Sequence, residues 1–376
     1  MDDVDRPRRR SRRGADVIPA GEALPRISFG AGTSGGLLVS GERDEQRRAV
    51  ATAIEHGIRH FDCAPIYGHG AAETNLGAVL RELGRPDVLV TSKVNITPEF
   101  LATGDLRTCV ERSVRASLTR LQRDHLDFLL VHNPVNRGRY YDSPTDPRAR
   151  LLSQYPPLTV DDYIGLDGVW EATTALREQG LVRRVGLGGM DNDPVALRAA
   201  LASGLVALFQ QPYHLLNPTA ALPEHVRGAG FDPLALDAAG RAMDHRDSLV
   251  AAETHKVAVS AISPVAAGAL TDDAVAGRPP DPVSARDVRF AGPDGFARQV
   301  ELVVPFAELA RESGMSLTEL AYRFAMSHPA VTTVVGGFSH TGHVLEAVRY
   351  AERGPLPADV GAALADVWIT TTKGST

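Results

Sequence analysis

The sequence predicts a (β/α)8 barrel, and three observations carry that expectation. From Ile27 onward, short apolar runs alternate with longer amphipathic stretches, giving eight strand–helix units in about 330 residues. The runs are continuously apolar rather than alternating in and out, as in parallel strands covered by helices on both faces. The irregular insertions all follow strands, which in a barrel places them on the C-terminal face where loops build sites.

Taken in order, the expected strands are Ile27–Phe29, Ile58–Phe61, Val88–Thr91, Leu126–Val131, Val182–Leu187, Leu205–Phe209, Val257–Ile262 and Val331–Val335. Val50, Ala53, Ile54 and Gly57 follow helical i, i+3, i+4, i+7 spacing before the second strand. Leu106, Val110, Val114, Leu118 and Leu121 form one stripe before the fourth. Ser316 and Glu319 make a capping box ahead of Leu317, Leu320, Ala321 and Phe324. Trp170 and Leu176 lie at helical spacing, so Trp170 reads as packing. Insertions run over Asn133–Asp162 and Pro212–Arg241, with a Pro/Gly/Asp-rich stretch from Thr271 to Gly295. Within them, Arg137, Arg139, Tyr140 and Tyr141 are candidates to read polar substrate groups, with an exposed loop as the plainer role. Asp232, Asp237, Asp244 and Asp247 are expected to be solvated.

Composition narrows the class. The chain has 376 residues, 43% hydrophobic and 23% charged, which excludes wholesale disorder. A net charge of −6 argues against a nucleic-acid partner. Two cysteines, Cys63 and Cys109, cannot build a disulfide framework, and no spacing suggests a metal site. Cys63 reads as a small buried hydrophobe, with oxidation sensitivity the sharper alternative. No apolar run is long enough for a membrane span, so a cytoplasmic, soluble protein is expected. Residues 1–25 form an Arg-rich leader, expected to be disordered, and residues 26–376 form a single barrel domain.

Two glycine motifs fail on context. Gly30-Ala31-Gly32-Thr33-Ser34-Gly35 matches a dinucleotide fingerprint, and Gly32-Thr33-Ser34-Gly35-Gly36 a nucleophile elbow. Each needs a helix to open at once, and Gly36–Gly41 reads as no helix opening. A loop where backbone approaches a ligand remains the expectation for Gly32 and Thr33.

The chemistry lies at strand ends. The second strand ends in Asp62, with Tyr67 five residues on; the third reaches Lys93; the fourth ends in His132. Adjacent barrel strands would gather these four at one mouth. A phenol is too weak an acid at neutral pH, and a nearby ammonium favours the phenolate, so Lys93 is expected to lower the Tyr67 pKa. Asp62 would balance the buried Lys93 charge, and a neutral His132 would orient a carbonyl oxygen or relay a proton. Without a thiolate or activated serine, the cluster suits proton transfer to a polarised carbonyl rather than acyl transfer.

These residues resemble the aldo-keto reductase superfamily. Gly57-Ile58-Arg59-His60-Phe61-Asp62 through Tyr67-Gly68, with Glu73 and Leu76-Gly77, is similar to that family's first signature. Thr91-Ser92-Lys93, Val131-His132-Asn133-Pro134, Phe209–Leu216, Ser263-Pro264 with Gly268 and Leu270, and Val334–Gly337 continue the likeness over about residues 26 to 350. The resemblance implies NADP(H) as cofactor, with NAD(H) possible, and a small carbonyl or sugar-like substrate. It implies Tyr67 as proton donor, Lys93 as its tuner, Asp62 as the partner of Lys93, and His132 as the group that orients the carbonyl. Asp62, Gly32, Thr33, Gly188, Gln210, Ser263, Pro264, Gly268, Leu270, Gly336 and Ser339 are implied to hold the cofactor, Gln210 through its carboxamide. The chain departs from the family at Gly188-Gly189, where a Ser-Asn pair is usual and Asn192 is a shifted substitute. Ile262 stands where an aromatic often stacks, and Phe338–His343 lacks an Arg or Lys for a 2′-phosphate, leaving His340 or His343. The wording around Asp62–Glu73 is similar to members that oxidise aldopyranoses at C1, which gives an oxidative alternative. A cofactor-binding regulatory subunit is a further reading from another class.

Overall fold

The parallel strands that the apolar runs predict close into a barrel in the computed structural model, which describes residues 23–138, 155–189, 191–278, 290 and 293–373. They are β1 (Ile27–Gly30), β2 (His60–Asp62), β3 (Leu89–Val94), β4 (Leu126–Val131), β7 (Val182–Leu187), β8 (Leu208–Pro212), β9 (Ala258–Ile262) and β10 (Val331–Gly337). A small parallel pair, β5 (Val135–Asn136) and β6 (Leu158–Thr159), stands outside the barrel. The barrel order is β1-β10-β9-β8-β7-β4-β3-β2, and β1 closes it by pairing Ile27 with Val334 and Gly30 with Gly337. Arg26 reinforces the seam by donating to Val331 O at 2.6 Å and Met326 O at 2.7 Å.

Helices over Arg43–Glu55, Ala71–Glu82, Leu106–Leu121, Val169–Glu178, Pro194–Ala202, Ser248–Thr254 and Leu317–Ser327 surround the strands. Their apolar stripes face inward: Val50 and Ala53, Leu76 and Val79, and Val110 and Val114 are all buried. Ser316 caps the helix Leu317–Ser327 by accepting from Glu319 N at 3.0 Å. Trp170 is buried, with the Arg177 guanidinium 4.6 Å above its ring. Inside the barrel, Leu24, Phe128, Leu130 and Leu208 form a separate apolar cluster. Polar side chains share that interior. Ser28 Oγ lies 2.7 Å from both Thr333 Oγ1 and His60 Nδ1, and His60 Nε2 lies 2.7 Å from Thr91 Oγ1.

Several expectations change. Gly36, at φ 71°, does open a helix, but only the single turn Leu37–Ser40. One turn offers little dipole, so the fingerprint remains unsupported. The insertion after β8 carries short helical turns at Thr219–Ala221, Glu224–Gly228 and Pro233–Leu236 rather than irregular chain alone. Asp237 is buried, not solvated, because its carboxylate accepts from Ala239 N and Arg241 N at 3.1 and 2.8 Å. Residues 1–22 of the expected 1–25 leader, with Arg139, Tyr140 and Tyr141, lie outside the described residues, whereas Leu24, inside the leader's expected bounds, is buried. No helix among the described residues is long and apolar enough to cross a membrane.

Candidate active site

The four predicted side chains meet at the C-terminal mouth of the barrel. Asp62 ends β2, Lys93 points inward from β3, and His132 follows β4. Strand register places them: Asp62 pairs with Thr91, and Lys93 with Leu130. Tyr67 opens the short turn Tyr67–Gly70 that leads into the helix Ala71–Glu82.

Lys93 is completely buried, and its ammonium makes three contacts. It donates to Asp62 Oδ1 at 2.6 Å, Cys63 O at 2.9 Å and Tyr67 Oη at 3.1 Å. An ammonium has three donors and no acceptor, so the Tyr67 oxygen must accept. The phenolic proton is therefore left for another partner. The second Asp62 oxygen accepts from Gln210 Nε2 at 2.6 Å. The Tyr67 and His132 rings meet edge to face, 6.0 Å apart. Among the described residues, His132 Nδ1 is a buried atom with no hydrogen-bond partner.

Electrostatics modify one expectation. Burial drives the Tyr67 pKa above the ordinary phenol value, with the Lys93 ammonium only opposing the rise. The ring is half-buried, and its loss of solvation penalises the phenolate more than the ammonium rescues it. Tyr67 is thus held protonated, as an acid rather than a phenolate. Burial also works against the Lys93 charge, but Asp62 and Tyr67 outweigh it and raise its pKa. Burial, reinforced by Lys93, holds His132 well below its ordinary value, so its imidazole is neutral. Burial pushes the Cys63 thiol well up, which makes it an inert packing group.

A layer behind the cluster escaped sequence reasoning. Glu73 is fully buried and accepts from Ser92 Oγ at 2.5 Å and Arg120 Nε at 2.7 Å. Ser92 adjoins Lys93, so this carboxylate ties β3 to two helices. The signature placed Glu73, but nothing in the spacing named its partners.

The residues expected to hold a cofactor divide by position. Gly32 lies beside Tyr67, where an added Cβ would stand 3.8 Å from the ring, and Thr33 is exposed next to it. Gly188 lies against the Lys93 stem, 3.5 Å from its Cδ on the same construction. These bare positions keep side chains out of the space beside the phenol and ammonium, which suits a flat ring stacked there. Ser263 is exposed at φ 59°, and Ala266 and Ala267 also take positive φ, at 45° and 54°. Such strain in non-glycine residues accompanies ligand-binding turns.

The remaining implied residues lie in packed or hydrogen-bonded settings. Pro264, Gly268 and Leu270 are buried, and the Gly268 and Leu270 N–H groups both donate to Val265 O within the turn. They hold the turn that carries Ser263. Gly336 is bare because a Cβ would collide with the Phe338 ring at 2.6 Å and Tyr322 Oη at 2.7 Å. Asn192 does not substitute for the missing Ser-Asn pair. Its side chain accepts from Val135 N at 2.8 Å and donates to Gly189 O at 2.6 Å. Ser339 Oγ lies 3.2 Å from His343 Nδ1, and the His340 and His343 rings are 3.7 Å apart. Burial lowers the His343 pKa to about 4, so it brings no charge at neutral pH. Arg137 is exposed and paired with Asp193 at 3.0 Å.

A sequence model of the aldo/keto reductase family matches residues 26–369, a span that holds all eight barrel strands and the whole cluster. The chain belongs to the aldo/keto reductase family. As a member it is an NAD(P)(H)-dependent oxidoreductase. It is 28% identical over 243 residues to aldo-keto reductase family 1 member A1 of Rattus norvegicus, covering 63% of this chain and 69% of that protein. It is 28% identical over 222 residues to D-threo-aldose 1-dehydrogenase of a Pseudomonas species, covering 51% and 60%. Deoxymugineic acid synthase 1 of Oryza sativa is 35% identical over 186 residues, covering 46% and 49%. The chain thus spans roughly half to seven tenths of these relatives' lengths. Among solved structures, an aldo-keto reductase from Bacillus halodurans in its holo form superposes with a TM-score of 0.58 at 20% identity, covering 94% of this chain and 96% of that one. One from Klebsiella pneumoniae in complex with NADPH gives 0.56 at 22% identity, covering 95% of each chain. At such identities the likeness shows the shared fold.

Proposed function

We propose that this aldo/keto reductase interconverts a carbonyl and its alcohol in a small polar or sugar-like substrate, with NADP(H) as cofactor and NAD(H) as a possible substitute. When bound, the nicotinamide supplies or accepts hydride. The observation that carries the reading is the three-way engagement of Lys93, which turns the Tyr67 oxygen into an acceptor and frees its proton for a substrate oxygen. His132, neutral and with Nδ1 unpartnered, orients that oxygen through an imidazole nitrogen. Asp62 holds Lys93 charged, so the ammonium stabilises negative charge that develops on Tyr67 as its proton leaves. Gly32, Thr33 and Gly188 would leave room for the ring, and the strained Ser263–Ala267 turn and Ser339 would hold the remainder of the cofactor. The carbonyl oxygen of Gln210 would accept from the nicotinamide amide.

Likeness to a D-threo-aldose 1-dehydrogenase supports a second reading, oxidation of an aldose at C1 by the same groups run in reverse. Initial rates in both directions across a panel of aldoses and simple aldehydes separate the two. Substituting Tyr67→Phe tests both. Turnover is expected to fall about 10²–10⁴-fold, the share a general acid supplies, while quenching of intrinsic fluorescence by NADPH persists. Full turnover in that variant removes Tyr67 as the acid.

A further inference from the structure

Gln210 donates to Asp62 across 148 residues of sequence, at 2.6 Å and in a buried setting. An ionised carboxylate only accepts, so the atom facing it must be the amide nitrogen. Asp62 Oδ1 is taken by Lys93, and Gln210 supplies the donor for Oδ2. Without it, that buried oxygen would lose the hydrogen-bond donor the structure gives it. The titratable groups around Asp62 are Lys93, Tyr67, Cys63 and His60, and of these only Lys93 reaches it with a hydrogen bond.

We propose that Gln210 is a positioning residue for the acid–base chain: it fixes the orientation of the Asp62 carboxylate, and through Lys93 aligns the Tyr67 hydroxyl. The proposal rests on the functional reading above for its kinetic consequence, but not for the Gln210–Asp62 linkage itself. A donor aimed at the charged form of an acid holds its pKa down, and its removal lets the acid protonate more readily. Two hydrogen-bonded carboxyls behave differently again, since they share one proton and titrate as a pair.

The linkage is read directly from the carboxyl carbon resonance of Asp62, assigned by its loss in Asp62→Asn, in the cofactor-free protein across a pH titration. In Gln210→Leu, the Asp62 proton affinity is expected to rise about tenfold or more, the worth of a hydrogen bond to a charged group. In Gln210→Glu, whose shape is preserved, the titration should split into two coupled steps. An Asp62 resonance that titrates identically in wild type and both variants overturns the proposal. Kinetics with NADPH and glyceraldehyde as probes supply the second arm. At saturating NADPH, Gln210→Leu should lower kcat about ten- to a hundredfold, more than it changes the KM for glyceraldehyde, and move the acid limb of the profile to higher pH. Gln210→Glu should work best at acidic pH, where its carboxyl is protonated and donates to Asp62, and lose activity as pH rises. A uniform loss with the wild-type pH profile assigns Gln210 to packing or to the nicotinamide contact alone and also overturns the proposal. Failure of the functional reading looks different: wild-type protein would then oxidise no NADPH with any aldehyde, while the Asp62 titration still responded to residue 210.

Discussion

The fully buried Lys93 ammonium lies 3.1 Å from the hydroxyl of the half-buried Tyr67 at the barrel mouth. Its charge is balanced by Asp62 at 2.6 Å. Replacing Lys93 with Met leaves the Asp62 carboxylate buried with Gln210 as its main donor. A buried pair that loses one member typically destabilises a fold by about 3–5 kcal/mol. Urea denaturation of Lys93→Met should show a loss of that order together with loss of turnover. Wild-type stability in the variant would show that the pair contributes little to the fold.

The Glu73 site predicts a purely structural effect. Arg120→Met removes one of the two side-chain donors that a carboxylate with no exposure has among the described residues, and Arg120 itself makes no hydrogen bond to Tyr67, Lys93 or His132. Because Arg120 is about three-tenths exposed, the loss is discounted to about 1–3 kcal/mol. The denaturation midpoint should fall with an unchanged slope, while the pH optimum of turnover stays in place.

His60 makes stability depend on pH. Burial holds its pKa at about 4, against an ordinary value of 6.5. The folded state therefore binds fewer protons than the unfolded chain between those values. Stability is fully present above pH 6.5 and declines as pH falls toward 4, with no further change from this residue below that. At pH 5 the contribution should be about 2 kcal/mol smaller than at pH 7. His60→Gln keeps hydrogen-bonding ends toward Ser28 and Thr91 without titrating, so its denaturation midpoints at the two pH values should lie closer together than those of wild type. An equal gap in both proteins counts against a neutral buried His60.

Gly77 lets two helices touch. A Cβ there would lie 2.5 Å from the Leu121 carbonyl carbon and oxygen and 2.7 Å from Arg120 O, all backbone atoms that cannot rotate aside. Gly77→Ala gains about 1 kcal/mol of helix propensity but must part the helices. Overpacking of about 1–3 kcal/mol should dominate, giving a lowered melting temperature. An unchanged or raised melting temperature would show that the helices yield.

Much of this was legible in the sequence because barrel strands announce themselves. Continuous apolar runs located all eight, and the polar residues that end them, Asp62, Lys93 and His132, located the mouth. The spacing of Tyr67 from Asp62 then brought the phenol along. What the sequence hid were partnerships between distant residues. Glu73 meets Arg120 from 47 residues away, and Gln210 meets Asp62 from 148. Neither separation carries a periodic signal: the packing of two helices joins the first pair, and the barrel joins the second. The direction of the Tyr67 shift was hidden for a related reason. An ammonium can be read from a sequence, but the depth at which a ring is buried depends on every element around it. Asp237 and Asn192 misled similarly, as short polar side chains in loops that turned out to satisfy buried backbone groups.

The seam between β1 and β10 also bears on how the molecule is made. A polypeptide leaving the ribosome carries the Ile27–Gly30 edge unpaired on one side until Val331–Gly337 have been synthesised. Throughout that interval the growing sheet exposes a ready template for mispairing with a neighbouring nascent copy, so chaperone demand during translation should be highest just before the last strand emerges.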